Sequence, residues 1–233
     1  MSYLEHPVAS SLVCCTWEQR TDARHEQRVV PDACVDLIWA GERLAIAGPD
    51  TRARVVALEP GSRIVGVRLL PGGAGPVFGL PASELRDQTP DAAEVFGQAV
   101  AAALLDVLHA SGDPHAVLLR AVELRGAGRP DPLVFAAVQA LGRPRARVGS
   151  VAADLGVSAR QLQRRLGDAV GYGPKTLQRV LRFRRLQTLA PAPLAELALD
   201  AGYCDQAHMT AEVTHLAGLP PVRFLKDRMP TAA

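Results

Sequence analysis

The spacing of apolar and polar positions repeats along the last third of the chain. In residues 148–171, and again in 194–218, an apolar helical stretch carries an alanine (Ala152, Ala198) and then a glycine (Gly156, Gly202). A β-branched or aromatic residue follows (Val157, Tyr203), and then a second, polar–apolar helix that ends at a glycine. The pattern reads as a helix-turn-helix. The small alanine lets two helices cross closely, and the glycine takes the positive-φ position of the turn. In such a unit the second helix is offered to the major groove of DNA. One long helix fits between the two copies. Gly173-Pro174 opens it, and Leu177, Val180, Leu181, Phe183, Leu186 and Leu189 form its apolar face, with Arg179, Arg182, Arg184 and Arg185 around it. Pro191 and Pro193 stop it. Ser158 and Asp205 are placed to cap the two recognition helices, 159–170 and 206–217.

The first part of the chain has a different period. Runs at 11–17, 28–30, 34–40, 44–47, 54–58 and 63–70 are short and rich in Val, Ile, Leu and Trp, with turn-like segments such as Gly48-Pro49-Asp50 between them. This spacing predicts an antiparallel sandwich or barrel. From 91 to 141 the period becomes helical. Ala92, Val95, Phe96, Ala99, Val100, Ala103, Leu104 and Val107 fall on one face of a helix. Asp113-Pro114 opens another, and Asp131 caps a third that starts at Pro132. The chain is thus expected to be α+β. A β-barrel domain covers 1–90, a helical connector and candidate dimerisation region covers 91–142, and an all-α double helix-turn-helix domain covers 143–233.

The net charge of +2 hides an asymmetry. Residues 1–142 hold 12 Lys+Arg and 17 Asp+Glu, whereas residues 143–190 hold 11 and 2. Positive charge concentrated on the first helix-turn-helix and the following helix is what phosphate neutralisation requires. No apolar run is long enough to span a membrane, and the N-terminus lacks a basic-then-apolar leader, so a cytoplasmic, nucleoid-associated protein is expected. The four cysteines (Cys14, Cys15, Cys34, Cys204) show no metal-ligand spacing, and a reducing compartment keeps them as thiols. Cys14 and Cys15, adjacent on a strand, are expected on opposite faces, which argues against a shared metal. No nucleophile–base motif stands out, and the glycine-rich 72–75 turn lacks the Lys-Ser/Thr of a phosphate loop, so neither enzyme nor nucleotide binder is expected.

The stretches VAADLGVSARQLQRRLGDAVGYGPKTLQRVLRFRRLQTL and LAELALDAGYCDQAHMTAEVTHLAGLPPVRFL resemble the DNA-binding domain of the AraC/XylS family of bacterial transcription regulators. The resemblance covers about 147–226. The stretch 30–39 (VPDACVDLIW), the Ala47-Gly48-Pro49 turn and the stretch 65–73 (VGVRLLPGG) are similar to the N-terminal sensor domain of one subgroup. That similarity implies a cupin-like barrel that senses a small molecule. It also implies duplex operator DNA as partner, with RNA polymerase and a second copy of the chain as further candidates and no cofactor.

Carried over from the family, Arg160, Gln163 and Arg164 face base edges, with Gln161 and Arg165 nearer the backbone. Arg suits guanine O6 and N7, and Gln suits adenine N6 and N7. Lys175 and Thr176, at the start of the bridging helix, and Arg179 are candidates for the phosphates. The second recognition helix departs from the family pattern, since 205–217 contains no Lys or Arg. Gln206 and Thr210 can still reach bases there, and Thr214 the backbone. The first motif is therefore expected to supply most of the affinity. For the effector, Trp17, Asp36, Trp39 and Arg68 are the candidates. The alternative is a regulator that senses oxidants or metal through Cys14, Cys15 and Cys34.

Overall fold

The computed structural model describes residues 1–126 and 130–226. Seven strands open the chain: β1 (Ser2–Pro7), β2 (Val13–Arg20), β3 (His25–Val29), β4 (Val35–Ala40), β5 (Arg43–Ala47), β6 (Arg54–Leu58) and β7 (Arg63–Leu69). They form an antiparallel five-stranded sheet in the order β1-β2-β7-β4-β5 and a separate pair, β3-β6. The expected barrel is not closed. The free edge of β5 is taken by the chain itself, since Ile46 N–H donates to Pro90 O and Gly48 N–H to Gln88 O, each at 3.0 Å. An edge covered by a loop has no need of a further strand. β1 escaped the sequence reading because SYLEHP has no run of β-branched residues.

Eleven α-helices follow among the described residues. They are α1 (Ala74–Phe78), α2 (Ala92–Phe96), α3 (Gln98–Ala110), α4 (Pro114–Arg125), α5 (Pro132–Leu141), α6 (Val148–Asp154), α7 (Ala159–Val170), α8 (Pro174–Thr188), α9 (Leu194–Ala201), α10 (Gln206–Ala217) and α11 (Pro221–Lys226). One core lies between the apolar sheet face and α1–α4, around Leu37, Ile46, Val67, Leu69 and Leu118. A second gathers α5 to α11 around Leu162, Leu177, Phe183 and Met209, and Ala33 of the sheet domain packs into it.

The single helix expected over 92–107 is two helices, because Gly97 adopts φ 85°, ψ 150° between α2 and α3. That turn rotates the apolar stripe. α3 buries Ala101 and Leu108, while Val100 and Val107 are exposed. A second correction concerns the vicinal cysteines. Val13 pairs with Leu69 and Cys15 with Arg68, so two residues of β2 match one step of β7. Such a bulge interrupts the alternation of faces. The simple alternation expected to set Cys14 and Cys15 on opposite faces therefore does not hold at this point; Cys14 is half-buried and Cys15 buried.

Candidate nucleic-acid interface

Both helix-turn-helix units close on the same backbone bond. Val157 N–H donates to Ala152 O at 3.0 Å, and Tyr203 N–H to Ala198 O at 2.8 Å. Gly156 (φ 67°) and Gly202 (φ 91°) make the turns, in a region that favours glycine. α7 begins with a capping box. Ser158 Oγ accepts from Gln161 N–H, and Gln161 Oε1 accepts from Ser158 N–H. Asp205 caps α10 by accepting from His208 N–H at 2.7 Å. α7 buries Leu162, Leu166 and Val170, and α10 buries Met209, Val213, Leu216 and Ala217. Their outer faces are polar and open.

On α7, Arg160, Gln161, Gln163, Arg164 and Arg165 are all exposed. Arg160, Gln163 and Arg164 have the three-and-four spacing of one helix face. The Gln163 amide lies over Gly173, in the space a Cβ there would take. Gln161 is occupied in the capping box, and Arg165 forms an ion pair with Asp131 at 2.9 Å. At the start of α8, Lys175 is exposed and Thr176 half-buried, and no side chain caps the N-terminus. Its orphan N–H groups and positive dipole end suit a phosphate. Arg179 is bound by both carboxylate oxygens of Glu212 on α10, at 2.8 and 3.0 Å. On α10, Gln206 and Thr214 are exposed, and the half-buried Thr210 hydroxyl donates to Gln206 O.

Much of the positive charge of 143–190 is therefore already engaged. Arg182 lies over the Tyr203 ring, Arg184 donates to Asp32 O at 3.1 Å and Arg185 to Gly142 O at 2.7 Å. Among the described residues, the side chains of Arg160, Arg164 and Lys175 make no hydrogen bond or ion pair.

The C-terminal ends of both recognition helices rest on the sheet domain, which local sequence patterns do not reveal. Arg86 donates to Gly171 O at the end of α7, and a Cβ at Gly171 would press on Ala82 O and Pro49. At the end of α10, Arg28 donates to Ala217 O at 3.0 Å and Ala53 N–H to Leu216 O at 2.7 Å. A guanidinium at a helix C-terminus also meets the negative end of its dipole. The N-terminal turns, by contrast, face solvent.

Three of the four candidate effector residues are bonded to one another. Trp17 Nε1 donates to Asp36 Oδ2 at 3.0 Å, and Arg68 donates to both Asp36 oxygens at 3.2 Å and to Glu5 at 2.9 Å. Burial lifts the Asp36 carboxyl to about 6, against the pull of Arg68. Trp39 does not join them. Residues three apart on a strand point to opposite faces, and Trp39 meets the His109 ring on the other side of the sheet. The roomier space is an open cleft of about 430 Å³ between the sheet domain and α7, lined by Leu80, Pro81, Val134, Asp131 and Arg165 among others. No three-residue metal-binding group occurs among the described residues, and no helix there is long and apolar enough to cross a membrane.

Residues 3–91 match the family described as a domain of unknown function (DUF6597), and residues 151–227 match the family described as a helix-turn-helix domain. No curated protein matches the chain. Among solved structures, the C-terminal domain of AraT, a response regulator from Geobacillus stearothermophilus, is similar at 24% identity and TM-score 0.41, over 45% of this chain and 93% of that one. ToxT from Vibrio cholerae bound to (E)-4-(8-methylnaphthalen-1-yl)but-3-enoic acid is similar at 8% identity and TM-score 0.48, over 97% of this chain and 99% of that one. ToxT with bound unsaturated fatty acid is similar at 8% identity and TM-score 0.46, over 100% and 98%. An antiparallel sheet domain, in which residues 3–91 match the first family, thus precedes an all-helical domain with paired helix-turn-helix units, in which residues 151–227 match the second.

Proposed function

We propose that the chain is a sequence-specific DNA-binding transcription regulator whose two helix-turn-helix units enter successive major grooves of an operator. The observation that carries this reading is the unpaired, exposed row Arg160–Gln163–Arg164 on a helix whose other side is buried. Arg160 and Arg164 reach guanine edges, and Gln163 an adenine edge. Lys175 and Thr176 hold a phosphate at the start of α8. Arg165 and Arg179 join the backbone contacts by exchanging Asp131 and Glu212 for phosphates. Gln206, Thr210 and Thr214 tune specificity from α10, and Gln161 serves mainly to start α7.

In this reading residues 1–90 sense, 91–142 connect and offer Val100 and Val107 to a second copy, and 143–233 bind DNA. A small-molecule effector enters the cleft against α7 rather than the Trp17–Asp36–Arg68 cluster, whose polar groups already bond one another, because in the cleft the wall it touches is the recognition helix itself. Fluorescence anisotropy with duplexes enriched by selection tests the reading. A salt-dependent affinity that distinguishes the selected duplex from random sequence supports it, and equal affinity for both contradicts it.

A further inference from the structure

The cleft between the sheet domain and α7, of about 430 Å³, is within the range that takes drug-sized molecules. Its apolar wall is shared between the domains, with Leu80 following α1, Val134 on α5 and Ala169 on α7. At Gly75 of α1 the wall carries no side chain, and the nearest described atom to a Cβ there is Leu80 O at 3.9 Å. The charges around this wall do not balance. Among the described residues that line the cleft, Asp131 and Asp168 are carboxylates and Arg165 is the one cation. Arg165 is paired with Asp131 at 2.9 Å. Arg165 and Asp168 lie three apart on α7 and so share a face. Asp168 is nevertheless exposed and makes no hydrogen bond or ion pair among the described residues. One carboxylate beside an apolar wall is thus left unmatched.

We propose that the ligand of this cleft is an organic cation, an amine or amidine on a hydrocarbon or aromatic body. The body lies on Leu80, Val134 and Ala169, and the charge sits between Asp168 and Asp131. This rests on the cleft being the effector site and adds the class of effector. Burial of the body drives binding, and the unmatched carboxylate selects the sign of the charge. An anion finds Arg165 already taken and is repelled by Asp168. A cation beside Asp131 competes with Arg165 for that carboxylate, and an ion pair this exposed is easily exchanged. Arg165 is then free to meet a DNA phosphate, so the ligand acts through a residue of the recognition helix.

The test uses the full chain with labelled Leu and Val methyl groups, followed by NMR, and three probes of similar shape: phenethylamine, phenethyl alcohol and phenylacetate. The Val134 and Leu80 signals are expected to move with the amine at a dissociation constant about fivefold below that of the alcohol, with the carboxylate weakest. Asp168→Asn closes the gap between amine and alcohol. Arg165→Gln, which removes the rival cation, tightens the amine, and Gly75→Leu, which fills the open wall, weakens all three. The remaining methyl signals report whether each variant is folded. Val134 and Leu80 signals that stay still with every probe overturn the site. A carboxylate or alcohol that binds as tightly as the amine overturns the cation while the cleft stands, and an amine no tighter on Arg165→Gln overturns the exchange. None of these arms uses DNA, so a failure of the regulator reading, a chain that binds no duplex, is seen separately.

Discussion

Asp131 Oδ2 accepts from the Arg165 guanidinium at 2.9 Å, so a cation of the first recognition helix is held by the residue that starts α5. The other oxygen, Oδ1, caps α5 by accepting from Leu133 N–H. Both side chains are more than a third exposed, and an ion pair in that setting contributes at most about 1 kcal/mol. A phosphate can displace it. Asp131→Asn keeps a capping oxygen but removes the charge. It is expected to raise DNA affinity by a few-fold, up to about 1 kcal/mol, while Arg165→Ala lowers the salt slope by about one. Anisotropy titrations across salt concentrations measure both; an Asp131→Asn variant that binds no tighter separates the pair from DNA binding.

The helix-turn-helix units, their caps and their turn glycines were legible in the sequence because each rests on contacts within a few residues. Ser158 lies three residues from Gln161, and Ala152 five from Val157. The docking of α10 on Arg28 and Ala53 was not, because it joins positions more than 160 residues apart through backbone carbonyls that carry no side-chain signature. The same holds for the charges. The Arg-rich block was visible as composition, but the capture of Arg179 by Glu212 and of Arg184 by the Asp32 carbonyl appears only in three dimensions. Asp36 and Arg68 were legible as charged residues inside apolar strands. Grouping Trp39 with them failed because Trp39 is three positions from Asp36, and the pleat sends the two side chains to opposite faces.

Arg164 is exposed on α7 without a partner, whereas α10 offers no cation of its own. Arg164→Ala is expected to weaken operator binding by about 1–3 kcal/mol, and Gln206→Ala by less. Titration of both variants at one fixed salt concentration checks this. Equal losses contradict the division of labour between the two units.

Gly66 sits under the Trp17 indole, and a Cβ there would overlap the ring. Trp17 is itself pinned through Nε1 to Asp36. Gly66→Ala is therefore expected to destabilise the sheet domain by about 1–3 kcal/mol, the usual cost of overpacking. Urea denaturation followed by tryptophan fluorescence measures the loss. A midpoint equal to that of the unmodified chain would mean the ring moves aside freely.

Glu18 binds Arg63 at 2.7 Å, Arg20, and His115 Nε2 at 3.3 Å, which ties α4 to the sheet. The Arg63 hydrogen bond leads in lowering its carboxyl from 4.5 to about 2. A carboxylate depressed in the folded state contributes stability that is whole above its unfolded value and is lost as pH falls through the folded one. The contribution should thus be full at neutral pH and fade between 4.5 and about 2. Glu18→Gln is expected to be less stable at neutral pH and to match the unmodified chain at the acid end. Thermal melts of the two proteins against pH make the comparison, and a constant difference across the range would exclude the linkage.

Protection of guanine N7, which lies in the major groove, from methylation by dimethyl sulfate on a selected operator tests most directly whether α7 and α10 read DNA together. Two protected major-groove segments about one helical turn (10 base pairs) apart are predicted, with Arg164→Ala erasing the one under α7 first. Protection of a single groove, or none at low salt, would contradict the account.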